Sequence, residues 1–407
     1  MSDHVYIAGI AMTQFGIHRD QSVKSLTRTA VNDALDDAGG KLDSVEIAFF
    51  GNMGQGVLEG QHSVPGQIAL RDMGMERAGV VNVENACATG STAFAMAVAQ
   101  VRAGTADVAL AVGVEKMNVG TRADALKVFD GAYDVSEPAA LEETLVALGG
   151  SDVDRGQGDR SVFMDIYAAM TRAHMRLCGT TQEQLAQVSS KNHGHAVHNP
   201  KAHFRKAMTV EEVLAGRPLG YPLTVPMCSP ITDGAAAAIV CNDAGLQRLA
   251  SQTPITVLAS LVGSSVDRAL DDYERHITRL LAKRVYEQAG VGPEDLDVAE
   301  VHDATAFGEV LQTELLGLCE LGGGGPLVAS GATTLGGRIP VNPSGGLESK
   351  GHPLGATGLG QLSELADQLR GRAGARQVPN ARIAIAENGG GLYRGEEATA
   401  VITILGR

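Results

Sequence analysis

The chain has 407 residues, 44% hydrophobic and 20% charged, which suits a globular protein with two or three domains' worth of core. Its formal net charge of −14 excludes nucleic acid and anionic membrane as main partners, while leaving room for a local basic pocket. Five cysteines without a CxxC pair speak against a disulfide framework or zinc site and read as reduced thiols of a soluble, cytoplasmic protein.

No stretch of about 18 apolar residues is present to span a membrane, and "MSDHVYIAGI" lacks a secretory pattern. Strand-like and helix-like runs then alternate in chain order. "VYIAGIAM" reads as a strand, "SLTRTAVNDALDDAG" as an amphipathic helix, and "SVEIAFFGNM" and "VVNVENA" as strands. "STAFAMAVAQVRAG" is a helix and "DVALAVGVE" a buried strand. After residue 250 the order recurs: strand "ITVLASLVG", helix "ITRLLAKRVYEQAG", strand "LDVAEVHDA", helix "GLGQLSELADQLRG", strands "ARIAIAEN" and "ATAVITIL".

The halves also share a pattern. "ALDDAGGKLDSVEIAFFGN" and "VYEQAGVGPEDLDVAEVHD" each run from helix through Ala-Gly and an acidic turn into an apolar strand. That self-similarity predicts an α/β fold built from a duplicated βαβαβ unit, with sites at the strand ends. Residues 117–228 break the rhythm with "GGSDVDRGQGDR", the helix "DIYAAMTRAHMRL" and a His-rich run, as a binding loop or lid does.

Three stretches can carry chemistry. In "VENACATGSTAFAMA", Cys87 falls between a strand and a helix, where unpaired N–H groups are expected to lower its pKa and expose thiolate. The bland alternative is a structural cysteine, and Cys178, Cys228, Cys241 and Cys319 are read that way. In "NPSGGLESKGHPLGATG", His352 sits in a rigid Gly- and Pro-rich turn, outside any core, before a helix, and can take the Cys87 proton; otherwise it is an incidental loop histidine. In "VAEVHDATAFGE", a strand ends at His302, which can donate to an oxyanion, and Asp303, read as a helix N-cap. The run "KNHGHAVHNPKAHFRKA" reads as loop; metal binding there is disfavoured, while Lys201, Arg205 and Lys206 can meet phosphates.

Four stretches, "NACATGSTA", "VGVEKMN", "KNHGHAVHNP…PMCSPITDGAAAAIV" and "NPSGGLESKGHPLGATG", occur in an order that resembles the thiolase superfamily, most of all the sterol-carrier-protein type. The resemblance implies a five-layered αβαβα fold and an acyl-CoA acyltransferase, usually dimeric or a dimer of dimers. It implies halves at 1–116 with 229–250 and at 251–407, with 117–228 as an inserted loop domain for coenzyme A and substrate. No permanently bound cofactor or metal is implied; coenzyme A and acyl-CoA are substrates. Carried over, Cys87 is the nucleophile, His352 activates it, and His302 completes an oxyanion hole with His352. The N–H groups of Cys87 and Gly389 form a second hole, and Ser349, Gly351 and Asn388 contact substrate.

Two positions depart from the family. The second cysteine that ordinary thiolases carry before the glycine triplet is here Glu387, and the one that follows the strand-end His-Asp in the sterol-carrier type is here Ala304. A buried carboxylate can move a proton, so Glu387 is a candidate acid/base; equally, it can cap a loop or repel a second acyl-CoA. Three functions therefore stand. They are thiolytic cleavage or Claisen condensation through acyl-Cys87, a decarboxylating or other condensing enzyme, and a retro-aldolase or non-catalytic acyl-CoA-binding subunit beside a small acyl-CoA-binding partner protein. Met164 and Tyr167 are candidates to line the acyl cavity.

Overall fold

Small residues decide how closely the layers approach. The computed structural model describes residues 4–149 and 161–407, so residues 150–160 of the "GGSDVDRGQGDR" stretch lie outside it. The strands are β1 (Tyr6–Met12), β2 (Ile47–Gly51), β3 (Gly79–Val83), β4 (Val108–Glu115), β5 (Pro218–Gly220), β6 (Leu223–Thr224), β7 (Gly234–Cys241), β8 (Ile255–Ser264), β9 (Val298–Glu300), β10 (Ile383–Gly390) and β11 (Thr399–Gly406). Nine of them form one hydrogen-bonded sheet in the order β3-β2-β4-β7-β1-β8-β11-β10-β9, and β5 and β6 form a separate hairpin.

The duplication is visible in that order. β2-β4-β7-β1 on one side mirrors β9-β10-β11-β8 on the other, each with one parallel pair followed by two antiparallel ones. The halves meet where β1 and β8 pair through Tyr6 and Ile7 against Thr256 and Ile255 alone.

The long helices used below are α1 (Val23–Ala38), α2 (Thr89–Arg102), α3 (Val162–Cys178), α4 (Gln182–Ala196), α5 (Ile277–Ala289), α6 (Ala306–Leu315) and α7 (Thr357–Arg370). α1 starts at a Ser22–Ser25 capping box, and both α1 and α5 end at a left-handed glycine, Gly39 and Gly290, each followed by a 3-10 turn and a strand. α1 covers one half-sheet with Leu26, Val31 and Leu35; α5 covers the other with Ile277, Leu281 and Val285. α2 and α7 lie between the half-sheets, sharing a core with Ala109, Ala111, Ala236, Ala238 and Ala384. Period-two alternation puts the larger Val108, Leu110 and Val112 on the outer face. Alanines on the inner faces leave room for two buried helices, and the layers run αβαβα.

In the 117–228 stretch, α3 and α4 pack with α6 through Ile166, Leu185, Val188, Phe307, Val310 and Leu311. Two expectations are corrected here. The His-rich run begins inside α4, because a Thr181–Gln184 capping box starts a helix that continues through His193 and His195 to Ala196. The Gly-Pro stretch from Asn342 to Gly358 is buried throughout, because ion pairs and hydrogen bonds replace apolar anchors. Glu300 accepts from Lys350 Nζ at 2.9 Å and from the Ser344 hydroxyl at 2.7 Å, while Asn199 and the backbone of residues 203 and 204 bond the same stretch.

Candidate active site

The first site element is a turn under strain. After β3, Ala86 takes φ 49°, a left-handed backbone that non-glycine residues rarely adopt. Thr89 holds it: its hydroxyl donates to Ala86 O at 2.6 Å and accepts the Asn85 N–H at 2.9 Å. A single 3-10 turn, Ala86–Ala88, then feeds α2 and presents Cys87. The second element is the 3-10 turn Leu354–Ala356, which feeds α7 and follows His352. The third is the end of β9. There, the Val301 N–H bonds Asn342 Oδ1 at 2.9 Å and the His302 N–H bonds Glu387 Oε2 at 3.0 Å.

These elements bring Cys87, His302 and His352 together, with one donor atom of each within 4.8 Å of the others. The two imidazole centroids are 5.3 Å apart. The same grouping could hold a soft metal ion through one sulfur and two nitrogens, at the cost of tying up the nucleophile.

Tautomers follow from the partners. Thr357 donates its hydroxyl proton to Pro353 O at 3.1 Å, so its oxygen accepts the Nδ1–H of His352 at 2.7 Å. That leaves His352 Nε2 with a free lone pair, and it has no protein partner. Neither ring nitrogen of His302 meets a protein partner at good hydrogen-bond geometry, and the Gly389 backbone is the polar neighbour that holds its pKa up against burial. Burial pulls His302 down to about 4, and pulls His352 well below the usual range with help from His302 and Lys350. Both imidazoles are neutral at pH 7.

The sulfur departs from expectation. Cys87 is pushed up to about 12, by burial first and then by Glu115 and Glu84. The ~0.3–2 kcal/mol that a helix N-terminus supplies is outweighed by charging a half-buried sulfur beside Glu115 and Glu84. Cys87 therefore rests as a thiol, and it needs a base in contact when it reacts.

A cavity of about 710 Å³ opens onto this group. Cys87, His302, His352, Ala304 and Gly391 line it, and Met164 and Tyr167 do so as well. Exposed Arg19, Arg122, Lys206 and Arg217 also border it, whereas Lys201 and Arg205 do not.

The remaining candidates sit elsewhere. Glu387 is fully buried behind the His302 backbone and does not line the cavity; burial first, then Glu397, raises it well above the carboxylate range. Gly389 lies within β10 away from the cavity, and it is the Gly391 N–H that neighbours the sulfur. Asn388 accepts the Ser91 hydroxyl at 2.6 Å, Ser349 bonds His193 Nδ1 at 2.6 Å, and Gly351 packs on Thr232; none of the three lines the cavity. Asp303 does not cap α6, whose N-cap is Thr305. It accepts the Leu347 N–H at 2.8 Å and the Asn192 amide at 3.1 Å. Of the histidine run, His193 and His203 reach the cavity, and His195 is held by Asn342 O and the Leu335 N–H.

Two residues went unread in the sequence. Glu115, in "VGVEKMN", accepts the N–H groups of Met53, Gly54 and Gly355 at 2.9–3.2 Å, tying the His352 turn to the first half. Glu397 lines the cavity near His302, and the acidic pair in "RGEEAT" just before an apolar strand was its only signal.

Comparison with known proteins identifies the family. Residues 5–213 match the thiolase N-terminal domain and residues 265–407 a thiolase C-terminal domain-like family. The chain belongs to the thiolase family. It is 38% identical to an acetyl-CoA acetyltransferase of Methanothermobacter thermautotrophicus, over 95% of this chain and 96% of that one. It is 36% identical to sterol carrier protein 2 of Bos taurus, covering 95% of this chain and 70% of that protein. To the benzoylsuccinyl-CoA thiolase subunit BbsB of Thauera aromatica it is also 36% identical, over 95% and 94%. The solved Ltp2-ChsH2(DUF35) aldolase superposes with a TM-score of 0.79 at 22% identity, covering 100% of this chain and 98% of that one. Human mitochondrial 3-ketoacyl-CoA thiolase does so at 0.67 and 16%, over 99% and 98%. These two likenesses concern the fold. No helix among the described residues is long and apolar enough to cross a membrane.

Proposed function

We propose that this thiolase-family chain is an acyl-CoA C-acyltransferase working through an acyl-Cys87 thioester, in thiolytic cleavage of a 3-ketoacyl-CoA or the reverse Claisen condensation. The carrying observation is one thiol and two partner-free neutral imidazoles within 4.8 Å, opening onto a cavity bordered by four exposed cations. A cationic border suits the phosphates of coenzyme A, and the partly apolar interior suits an acyl chain.

In that chemistry, His352 Nε2 takes the thiol proton as sulfur attacks the carbonyl, so thiolate is made only when it is used. Charge then grows on the carbonyl oxygen, where the His302 N–H, or the N–H groups of Cys87 and Gly391, can meet it. Removing one donor from an oxyanion hole typically costs ~2.7–4 kcal/mol.

Incubation with acetyl-CoA and a panel of longer acyl-CoA esters, followed by intact-protein mass analysis, tests the proposal. A thioester on Cys87 is expected; unmodified protein across the panel would sink it. A second reading follows from the relative named as a subunit: acyl-CoA binding or retro-aldol chemistry beside a partner chain. Cys87→Ala separates the two, since activity that survives it favours the second reading.

A further inference from the structure

A C–C bond-forming or bond-breaking acyltransferase must move a proton at the carbon α to a thioester, and neither position where relatives place a second cysteine supplies a group for it here. Ala304 faces the cavity without an ionisable atom, and Glu387 is ionisable but lies outside the cavity lining. Glu397 lies within it.

Three observations place Glu397 beside the reacting end. First, Glu397 lines the same cavity as Cys87, His302 and His352. Second, the point where a Cβ on Gly389 would stand is 3.2 Å from Glu397 Cδ and 3.2 Å from His302 Nδ1, so glycine there is what lets the carboxyl and the imidazole approach. Third, the carboxyl is held from behind. Gln312 Nε2 donates to Oε1 at 3.0 Å, and His276 Nε2 stands 3.4 Å from Oε2, beyond a proper hydrogen bond. His276 Nδ1 accepts the Thr278 N–H, so the ring proton is on Nε2, which stands beside both Glu397 Oε2 at 3.4 Å and Glu396 Oε2 at 3.7 Å without bonding either.

We propose that Glu397 is the catalytic acid/base that takes the α-proton of the second acyl-CoA in condensation and returns it in cleavage. This deepens the acyl-Cys87 reading and rests on it. In condensation the Cα–H proton passes to the carboxylate, and the C–H electron pair attacks the acyl-Cys87 carbonyl carbon. The C–C bond forms, and the C–S bond breaks with its electron pair on sulfur. The proton carried by Glu397 balances the departing thiolate, restoring thiol and carboxylate. Cleavage runs the same steps backward.

Two other ionisable groups of the cavity lining are committed elsewhere. Glu348 is engaged by Ser189 and by Asn192, and both ring nitrogens of His193 are bonded. Glu397 is faced by Glu396, Arg268 and His276, by Glu387 and His302 from the strand ends, and by Tyr167 from α3. Burial first, with Glu396 adding to it, brings Glu397 up to about 7, the range in which a proton can be both taken and returned near neutral pH.

The test is hydrogen–deuterium exchange at Cα of acetyl-CoA in D2O, run beside thioester formation on Cys87. Glu397→Gln should slow exchange by ~10²–10⁴-fold while acylating at close to the wild-type rate. Glu397→Asp should recover part of the exchange. The proposal is overturned if Glu397→Gln exchanges like wild type, or if it loses acylation in parallel. It is also overturned if wild type acylates without exchanging, or if Glu397→Asp is as inactive as Gln. Wild type that never acylates defeats the acyl-Cys87 reading instead, a different outcome.

Discussion

Two helix starts, one in each half of the duplication, show how a shared scaffold divides the chemistry. α2 and α7 both follow a three-residue 3-10 turn, both open with Thr-Gly, and both run 14 residues between the half-sheets. They press on each other at their starts: a Cβ on Gly90 would come within 2.6 Å of Gly355 O, and one on Gly358 within 1.8 Å of Ser91 Oγ. At the first start the threonine hydroxyl is spent on backbone, holding a strained turn that presents a sulfur. At the second it orients an imidazole. One residue type at one structural position therefore builds a nucleophile's platform in one half and sets a base's tautomer in the other.

That comparison can be broken. Cys87→Ala should abolish thioester formation, a loss of roughly 10⁶-fold if it acts as other enzymatic nucleophiles do; intact mass after acyl-CoA reads it. His352→Ala should slow acylation by ~10²–10⁴-fold while coenzyme A affinity stays near wild type. Equal loss of both would mean that its turn is structural.

The threonines sharpen it further. Thr357→Val leaves His352 Nδ1 unpaired, which costs about 1–3 kcal/mol. Acylation should fall about tenfold, with a smaller drop in melting temperature than a change that removes two bonds. Thr89→Val removes two bonds from the strained turn and should cost about 1–3 kcal/mol of stability as well as rate, read by thermal melting. Equal effects from the two valines would erase the distinction. Gly90→Ala should destabilise by about 1–3 kcal/mol, because the Gly355 carbonyl cannot yield without moving α7.

The smallest effect is with pH. Glu115 and Glu397 are raised to about 7 and Glu348 to about 8, burial being the main cause in each. Folded protein thus keeps protons that the unfolded chain loses above about pH 4.3, and stability drains as pH climbs to about 8. His302, lowered to about 4, acts the opposite way, but its contribution is complete by about pH 6.5. The other lowered histidines, His193, His195, His203, His276 and His352, act as His302 does, so the carboxyl loss dominates only toward pH 8, where unfolded imidazoles are neutral too, and there the melting temperature should fall; a rise would mean these carboxyls are charged in the fold.

Legibility differed by residue. Cys87 and His302 were readable because each stands where an apolar run stops, and His352 because it stands in a glycine- and proline-rich turn just before a helix. The pairing of the α2 and α7 starts was there to be read in "ATG" at both places. Glu387 and Glu397 could not be ranked from sequence, since both are acids beside the last two strands. Their difference is one of direction: β10 carries Glu387 against the His302 backbone, while the turn after it returns Glu397 to the cavity.

By itself, the sequence determined the alternation of strands and helices, the duplication, and which residue types stand at strand ends, because periodicity and turn chemistry act over a few residues. Only the tertiary structure decided which carboxyl meets the cavity, that Cys87 rests as a thiol, and that a glycine-rich run is buried. Each of these depends on what surrounds a group in space, and desolvation is set by neighbours that the chain brings in from far away.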